Sequence, residues 1–445
     1  MSNSVSNPPV VSDGNERKRR DAWAAAARLV ARWLERRERV DELMETLGGS
    51  LNGAERARCQ HLVFGVVRHF GRIEAALNRL IAHPPRFSTR AVLFVAGFEL
   101  IEAAADDAAH ADGLVAKIVH HAVEQTKGLA SPAEARLVNA VVRKLAPALA
   151  GPPPPKLAPA EVLAEYFSHP AWLVRSWLAQ FGEEATRKLL EWNQQPATVY
   201  ARWRAEGEAV PEWFKPTASA GFYELPAGRW TEVGPLLQSG KVYLQDPGTR
   251  LAVELLAPQP AEIVFDACAA PGGKSLLIAD TIKQGKVVAM DLPGARIDRL
   301  KENLSRVPET VGVALVQGDL RENAAAQLRE HGLPQEFSAV LLDGPCSNTG
   351  VMRHRVDVKW RLQEGDFKKH PRQQLSLLHD AARLVAAGGR IVYSTCSIDA
   401  EENEHVVREF LAGKAGAPFK LEASVVSYPW VTGHDGAAAF LLRRE

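Results

Sequence analysis

The chain of 445 residues has few cysteines and no long apolar run. Its four cysteines form no C-x-x-C pair, so the sequence predicts neither a disulfide framework nor a zinc site, and we expect no metal. No apolar run reaches the roughly 18 residues that a transmembrane helix needs. Residues 1–20 also lack the apolar segment of a secretory signal. These absences favour a cytoplasmic protein with no membrane partner.

An excess of charge of one sign is missing too. The sequence has 54 Lys and Arg against 53 Asp and Glu, for a net charge of +1, so total charge does not identify a polyanionic partner. Apolar residues make up 46% and charged residues 24%, as in folded globular proteins. A nucleic-acid-binding surface would therefore have to be a local patch.

The residue pattern changes along the chain and predicts five segments. Residues 1–20 are a polar tail that ends in four basic residues, and we expect this tail to be disordered. Residues 21–150 have helical periodicity almost throughout. Residues 151–160 contain four consecutive prolines, which favour a stiff spacer. Residues 161–240 are mixed in pattern, whereas residues 241–445 alternate short β-rich runs with helical runs.

The mixed segment 161–240 contains six of the ten tryptophans. Large aromatic side chains often fill the core of a small subdomain, and they also serve as stacking surfaces for unpaired bases. Acidic residues slightly outnumber basic ones here, which favours the first interpretation without excluding the second.

The last segment predicts an α/β fold, a parallel sheet with helices on both faces. The predicted strands are Glu262–Ala267, Lys286–Met290, Gly312–Val316, Ser338–Leu342 and Arg390–Ser394. The predicted helices between them are Lys274–Lys283, Pro293–Leu304, Arg321–Glu330 and Gln373–Ala387. Ligands of such folds bind beyond the carboxyl ends of the strands, so those ends are where we expect a site.

Each predicted strand ends at small, acidic or nucleophilic residues. Residues 266–274 read Asp-Ala-Cys-Ala-Ala-Pro-Gly-Gly-Lys, and such small residues let a ligand approach the backbone at a helix start. The other strands are followed by Asp291, Asp319, Asp343, Cys346 and Cys396. The loop resembles the end of a P-loop, but that motif needs glycine at position 268, where this chain has cysteine. The loop therefore favours a protein that binds a nucleoside ligand without a polyphosphate over a P-loop nucleotide hydrolase.

These motifs resemble those of the RNA cytosine-5 methyltransferases of the Nop2/Sun family. The resemblance lies in residues 266–274, in Asp-Gly-Pro-Cys-Ser at 343–347 and in Ser-Thr-Cys-Ser at 394–397. It extends to residues 62–68 and 137–144, which resemble a NusB-like helical domain. It implies a Rossmann-like methyltransferase domain with a mixed seven-stranded sheet, preceded by an all-helical NusB-like domain and a small α+β RNA-binding subdomain.

The resemblance also implies roles for individual residues. Cys396 would be the nucleophile that adds to the base, Cys346 would assist product release, and Asp343 would hold the base edge; the residues alone do not rank the two cysteines. S-adenosylmethionine would be the cofactor. Its expected binding residues are Cys268, Ala269, Ala270, Pro271, Gly272, Gly273, Lys274, Asp291, Asp319 and Asp343. Lys359 and Trp360 match a stretch that faces the RNA, and Arg353 and His354 could contact phosphate.

The implied function is methyl transfer to carbon 5 of a cytosine in RNA, with 16S ribosomal RNA as the expected target and no obligate protein partner. Two alternatives stay open. The chain could be an RNA-binding ribosome-assembly factor with a silent methyltransferase domain, or it could act on tRNA. Stretches such as Arg353–Val356 depart from the family pattern, so the particular RNA target is the least determined part of this expectation.

Overall fold

The computed structural model describes residues 21–49, 51–105 and 111–445. The predicted tail, 1–20, lies outside them. Among the described residues, no helix is both long enough and apolar enough to cross a membrane.

The described residues form two compact units. The first consists of residues up to 179 together with 359–361, and the second consists of 180–358 together with 362–445. The segment boundaries predicted at 150, 160 and 240 stay predictions.

The first unit is helical. The helices are α1 Ala22–Arg36, α2 Val40–Glu45, α3 Gly53–Arg68, α4 Phe70–Leu80, α5 Phe87–Ala105, α6 Ala111–Leu129, α7 Glu134–Leu149 and α8 Ala160–Tyr166. Asp21 caps α1 by accepting the Trp23 N–H, and Asn52 and Glu55 form a reciprocal capping box at the start of α3. Apolar side chains at helical spacing are buried, among them Trp33, which is fully buried. The sequence pattern did not predict α2, because a helix of about one and a half turns is too short to show helical periodicity.

The second unit contains a small antiparallel sheet. Helix α9, Ala171–Gln194, precedes it and has non-helical backbone at Gly182. The four strands are β1 Tyr200–Trp203, β2 Lys215–Pro216, β3 Phe222–Glu224 and β4 Val242–Leu244, in the order β2-β3-β1-β4. Helix α10, Trp230–Gln238, lies between β3 and β4 in sequence. A cluster that includes Ala201, Phe214 and Trp213 packs here, so several of the tryptophan-rich segment's aromatics fill a small core.

The rest of the second unit is built on a mixed seven-stranded sheet. The strands are β5 Ile263–Ala267, β6 Gly285–Asp291, β7 Val311–Gln317, β8 Phe337–Asp343, β9 Val385–Thr395, β10 Phe419–Ser427 and β11 Ala437–Arg444. Their order is β10-β11-β9-β8-β5-β6-β7. Strands β5 to β9 pair in parallel, whereas β11 pairs antiparallel with both β9 and β10.

Helices cover both faces of this sheet. The helices in this part of the chain are α11 Arg250–Leu256, α12 Gly273–Ile282, α13 Ile297–Leu304, α14 Ala324–Glu330, α15 Val358–Arg361, α16 Asp366–Ala382, α17 Glu404–Ala412 and α18 Pro429–Thr432. Of these, α15 belongs to the first unit from residue 359 onward. One buried cluster joins the sheet to α14, α16 and α17, and another joins it to α11 and α12. This arrangement confirms the predicted α/β fold with a mixed seven-stranded sheet.

Some sequence-based element predictions were wrong. The helix predicted as Gln373–Ala387 instead spans Asp366–Ala382, and residues from Val385 onward belong to β9. The helix predicted from Pro293 begins at Ile297. The residue pattern alone did not indicate β10 and β11, which supply the two antiparallel strands.

Candidate functional site

Two cysteines meet at the carboxyl ends of β8 and β9. The Sγ atoms of Cys346 and Cys396 are 3.0 Å apart, and Cys396 Sγ also lies 3.4 Å from the side-chain oxygen of Asn348. The hydrogen bond with Cys396, reinforced by burial, raises the pKa of the Cys346 thiol well above its usual value. Cys346 is buried, whereas Cys396 is partly exposed. The more accessible sulfur is therefore at position 396.

A lysine and an aspartate form an ion pair beside the cysteines. Lys274 Nζ donates to Asp343 Oδ2 at 2.6 Å, and Ser394 Oγ donates to Asp343 Oδ1 at 2.9 Å. Burial disfavours the lysine ammonium, but the Asp343 carboxylate outweighs it, so the pKa of Lys274 is raised; the sulfur of Cys396 adds to this rise. Lys274 stays cationic at neutral pH. Lys274, Ser394 and Cys396 line one pocket with Asp246 and Asp435.

The predicted cofactor loop follows β5. Gly272 has φ 102° and caps α12, and a Cβ built there would lie 2.9 Å from Leu300 Cδ1, so only glycine fits without strain. The loop is held to the neighbouring strand because Ala269 N donates to Met290 O at 3.0 Å and Ala270 N donates to Asp291 Oδ2 at 2.8 Å. The backbone of this loop is thus fixed against the end of β6.

Asp266, at the end of β5, has an unsatisfied acceptor. It is fully buried; its Oδ2 accepts from Ser275 Oγ, but its Oδ1 has no hydrogen-bond partner among the described residues. Burial, helped by the nearby carboxylates of Asp343 and Asp291, raises the pKa of Asp266 to about 7. An orphaned buried acceptor beside a loop of small residues fits a ligand that supplies a hydrogen-bond donor. The residues present are therefore compatible with a nucleoside-type cofactor.

The other predicted cofactor residues differ in their surroundings. Asp291 is buried, and its second oxygen lies 3.3 Å from Arg296. Asp319 pairs instead with Arg321, whose hydrogen bonds lower the pKa of that carboxyl. Burial, with the Asp291 and Asp343 charges, raises the pKa of the Cys268 thiol far above its usual value, so this cysteine is not a thiolate nucleophile at neutral pH.

An Asp–His–Asp cluster lies at the pocket and was not predicted. The potential ligand atoms of Asp246, His354 and Asp435 lie within 4.8 Å of one another. His354 Nδ1 is 2.9 Å from Asp435 Oδ2, and Asp246 accepts N–H groups from Gly248 and Asp435. Burial and the neighbouring Asp435 raise the pKa of Asp246 to about 7. Asp246 thus has hydrogen-bond donors within the chain, whereas His354 Nδ1 lies beside Asp435 Oδ2 without the geometry of a hydrogen bond. The three residues come from distant segments of the chain, so no local spacing in the sequence predicts the cluster.

Two side chains that the sequence placed toward the RNA, Lys359 and Arg353, are buried in the structure. Lys359 is only 2% exposed, and its Nζ donates to Arg68 O at 2.9 Å, while Trp360 Nε1 donates to Val67 O at 2.7 Å. Arg353 is 7% exposed, and its guanidinium stacks 3.9 Å from the centre of the Trp192 ring. Lys359 and Arg353 therefore serve internal packing here rather than an open surface.

Two family models match separate parts of the chain. Residues 253–426 match the model described as 16S rRNA methyltransferase RsmB/F, and residues 17–147 match the NusB family model. Proteins named ribosomal RNA small subunit methyltransferase B, from Shigella boydii serotype 18 and from Escherichia coli O17:K52:H18, are each 27% identical to this chain over 423 residues. The alignments cover 90% of this chain and 92% of each relative.

Solved structures share the fold. The crystal structure of PH0851 has a TM-score of 0.73 and 22% identity, and the match covers 95% of this chain and 99% of that one. A methyltransferase homologue from Pyrococcus horikoshii has a TM-score of 0.54 and 23% identity, with coverage of 65% and 100%. At these identities the two structures show the fold alone.

Proposed function

Since the chain combines a NusB-type region with an RsmB/F-type methyltransferase region, we propose that it methylates carbon 5 of a cytosine in small-subunit ribosomal RNA. The relatives named ribosomal RNA small subunit methyltransferase B, aligned over most of both chains, support the ribosomal target. The NusB-type region and the small tryptophan-rich segment would dock the RNA, and the enzyme would act in the cytoplasm.

The single observation that carries the proposal is the thiol pair beside the Lys274–Asp343 ion pair. Carbon 5 of cytosine is a weak nucleophile, and it becomes reactive when a thiolate adds to carbon 6. A second sulfur within 3.0 Å of the first, with a carboxylate and an ammonium at the same strand ends, supplies the groups that such covalent catalysis needs. P-loop chemistry does not use such a pair.

In the proposed reaction Cys396 is the nucleophile because it is the more accessible of the two thiols. Its sulfur forms a bond to carbon 6, the electron pair of the 5,6 double bond becomes available at carbon 5, and ring nitrogen 3 is protonated or hydrogen-bonded. After carbon 5 is methylated, a base removes its proton, the double bond re-forms and the sulfur–carbon bond breaks. Cys346, adjacent to the leaving sulfur, assists this release.

Asp343 and Lys274 would hold the base and the charge that develops on it. The Asp343 carboxylate, fixed by Lys274 and Ser394, is suited to accept hydrogen bonds from the amino group of cytosine and from ring nitrogen 3 once that nitrogen is protonated. Lys274 holds that carboxylate in place by an ion pair, because its own raised pKa keeps the lysine cationic.

The cofactor would be held by the loop after β5 and the ends of β6 and β7. When bound, S-adenosylmethionine supplies an electrophilic methyl group on sulfur. The residues proposed to bind it are Cys268, Ala269, Ala270, Pro271, Gly272, Gly273, Lys274, Asp291, Asp319 and Asp343. Asp291 would bind the ribose hydroxyls, and Asp319 would lie by the adenine.

The proposal is tested by incubating the full chain with S-adenosylmethionine labelled in the methyl group and either small-subunit rRNA or tRNA. The RNA is then digested to nucleosides and analysed by mass spectrometry. We expect labelled 5-methylcytidine from rRNA. Label only in tRNA would overturn the ribosomal target, and label on another atom would overturn the thiol chemistry. Tight binding of rRNA and cofactor without any product would instead identify a silent assembly factor.

A further inference from the structure

Glu402 is a fully buried carboxylate that contacts both cysteine loops. It ends a short 3-10 turn, Ala400–Glu402, and has 0% exposure. Its Oε2 accepts the Ser347 N–H at 2.9 Å, and its Oε1 accepts from Ser397 Oγ at 2.9 Å. Ser347 directly follows Cys346, and Ser397 directly follows Cys396. One side chain therefore bridges the residues next to the two thiols.

Gln374 in α16 extends this contact on the Cys346 side. Its Nε2 donates to Glu402 Oε2 at 2.8 Å and to Pro345 O at 2.9 Å, and Gln374 is itself fully buried. The two residues thus hold the loop on both sides of Cys346. A buried carboxylate keeps its charge at a high desolvation cost unless such donors surround it.

Further hydrogen bonds join the two loops directly. Gly350 N donates to Cys396 O at 3.0 Å, and Ile398 N donates to Thr349 Oγ1 at 3.2 Å. Ser347 Oγ and Ser397 Oγ are 3.3 Å apart. In this network one carboxylate oxygen of Glu402 accepts a hydrogen bond from the Cys346 loop and the other accepts one from the Cys396 loop.

We propose that Glu402 is a positioning residue, which fixes the separation of the Cys346 and Cys396 thiols by holding the backbone beside each of them. The expected effect of Glu402 on catalysis rests on the proposed function. Its effect on the separation of the two thiols does not. Glu402 does not touch the reacting atoms. Its negative charge also adds to the hydrogen bond and burial that raise the pKa of Cys346, which favours the protonated thiol at that position.

Three substitutions separate the effects of reach, charge and hydrogen bonding. Glu402→Ala removes the bridge and leaves the Ser347 N–H and the Gln374 amide without their acceptor. Glu402→Asp keeps the charge but shortens the side chain by one methylene, so it cannot serve both loops at once. Glu402→Gln keeps the length: its oxygen accepts from Ser347 and Gln374, and its amide donates to Ser397 Oγ. Glu404→Ala, at an exposed position in the following helix, is the matched control.

The first measurement uses phenylarsine oxide and needs no RNA. The arsenic forms two bonds to two close thiols and releases one water, and mass spectrometry of the intact protein and its peptides identifies the captured pair. We expect capture of Cys346 with Cys396 in the wild type, in Glu402→Gln and in Glu404→Ala, with at least a tenfold lower capture rate in Glu402→Ala and Glu402→Asp. Cys346→Ala and Cys396→Ala give the rate of arsenical capture when only one of the two thiols is present. Wild-type capture by folded Glu402→Ala or Glu402→Asp would overturn the proposal.

The second measurement follows the covalent step in a single turnover. RNA containing 5-fluorocytidine keeps the protein attached, because fluorine at carbon 5 prevents the proton loss that release requires. We expect Glu402→Ala to lower the rate of adduct formation by about 100-fold with unchanged affinity for RNA, since an ångström of misplacement has that effect on an oriented reaction. Glu402→Gln should restore the rate to within about threefold of the wild type. Equal loss in both variants would overturn a positioning role.

The two measurements separate the two proposals. If the wild type forms no adduct and no 5-methylcytidine, the proposed function fails, whereas the arsenical result still decides the geometry. If the wild type is active and Glu402→Ala is captured and reacts normally, the positioning role fails and the proposed function stands.

Discussion

The sulfur atoms of Cys346 and Cys396 lie 3.0 Å apart although 50 residues separate them in the sequence. Strand pairing explains the approach: β8 and β9 are parallel neighbours, and Asp343 is in register with Ser394. Each cysteine follows its strand within a few residues, so the two loops leave the sheet at the same edge. The pair is thus a consequence of sheet topology, refined by the hydrogen bonds between the loops.

Cys396→Ala should reduce methyl transfer by at least about 1000-fold, because no other thiol replaces the nucleophile in the addition to carbon 6. Cys268 does not substitute for it, since its pKa is raised by burial and nearby carboxylates. The measurement is label transfer to rRNA, with Cys59→Ala as the control because Cys59 is fully buried in α3 of the other unit. Unchanged transfer in Cys396→Ala would exclude the assigned nucleophile.

Cys346→Ala should allow the addition but slow the release, so that a protein–RNA adduct accumulates. Alanine removes the sulfur adjacent to Cys396 and leaves the nucleophile in place. The adduct is detected as a band of reduced mobility that disappears on nuclease treatment. If Cys346→Ala turns over normally and gives no adduct, then Cys346 has no part in release.

The sequence predicted the part of the fold that carries the site. The five parallel strands were expected because their apolar runs alternate with helices, and all five are present. Strands β10 and β11 were missed for a physical reason: β11 begins with three alanines, which have low strand propensity, and β10 lies at a sheet edge with mostly exposed or half-exposed residues. Their strand conformation depends on tertiary pairing, of β11 with β9 and of β10 with β11, rather than on local pattern.

The sequence also predicted part of the site. Strand-end residues such as Asp343 and Cys396 could be assigned because parallel strands bring their ends to one edge. Glu402 and the Asp246–His354–Asp435 cluster could not, because their partners lie on other segments and only tertiary packing brings them together. Lys359 was misassigned because an exposed and a buried lysine look identical in sequence, and only the structure shows its contact with Arg68 O.

Lys274→Met should lower the rate of methyl transfer by about 100-fold, comparable to the loss of one preorganised charge at an active site. Without the ammonium, Asp343 loses its ion-pair partner at 2.6 Å, so the carboxylate is no longer held in position in a partly buried site. Single-turnover kinetics at saturating RNA measure the effect. Lys283→Met, which removes an exposed lysine at the other end of α12, is the matched control and should react at the wild-type rate.

Asp291→Asn should weaken S-adenosylmethionine binding by about 10- to 100-fold, the expected effect of losing charge-assisted hydrogen bonds to ribose hydroxyls. The asparagine oxygen still accepts the Ala270 N–H, so the loop should keep its conformation. Isothermal titration calorimetry gives the dissociation constant, and Asp298→Asn, at an exposed position in the first turn of α13, serves as the control. Equal affinities in the two variants would remove Asp291 from the cofactor site.

Asp266→Asn should change how the stability of the protein depends on pH. In the folded protein burial raises the pKa of Asp266 to about 7, whereas in the unfolded chain it is about 3.9. Between these values the folded state holds a proton that the unfolded state has lost. This contribution is therefore fully present below pH 4 and is lost as the pH rises to 7. At about 1.4 kcal/mol per pKa unit, it amounts to at most about 4 kcal/mol.

Asparagine does not titrate, so the free energy of unfolding of Asp266→Asn relative to the wild type should rise between pH 4 and pH 7 and level off above. Urea denaturation of both proteins across this range measures it. Asp298→Asn, at an exposed position, is the control for this comparison. A difference for Asp266→Asn that does not vary with pH would mean that Asp266 titrates in the folded protein as it does in the unfolded chain. In that case the burial of Asp266 would not favour its protonated form in the folded protein.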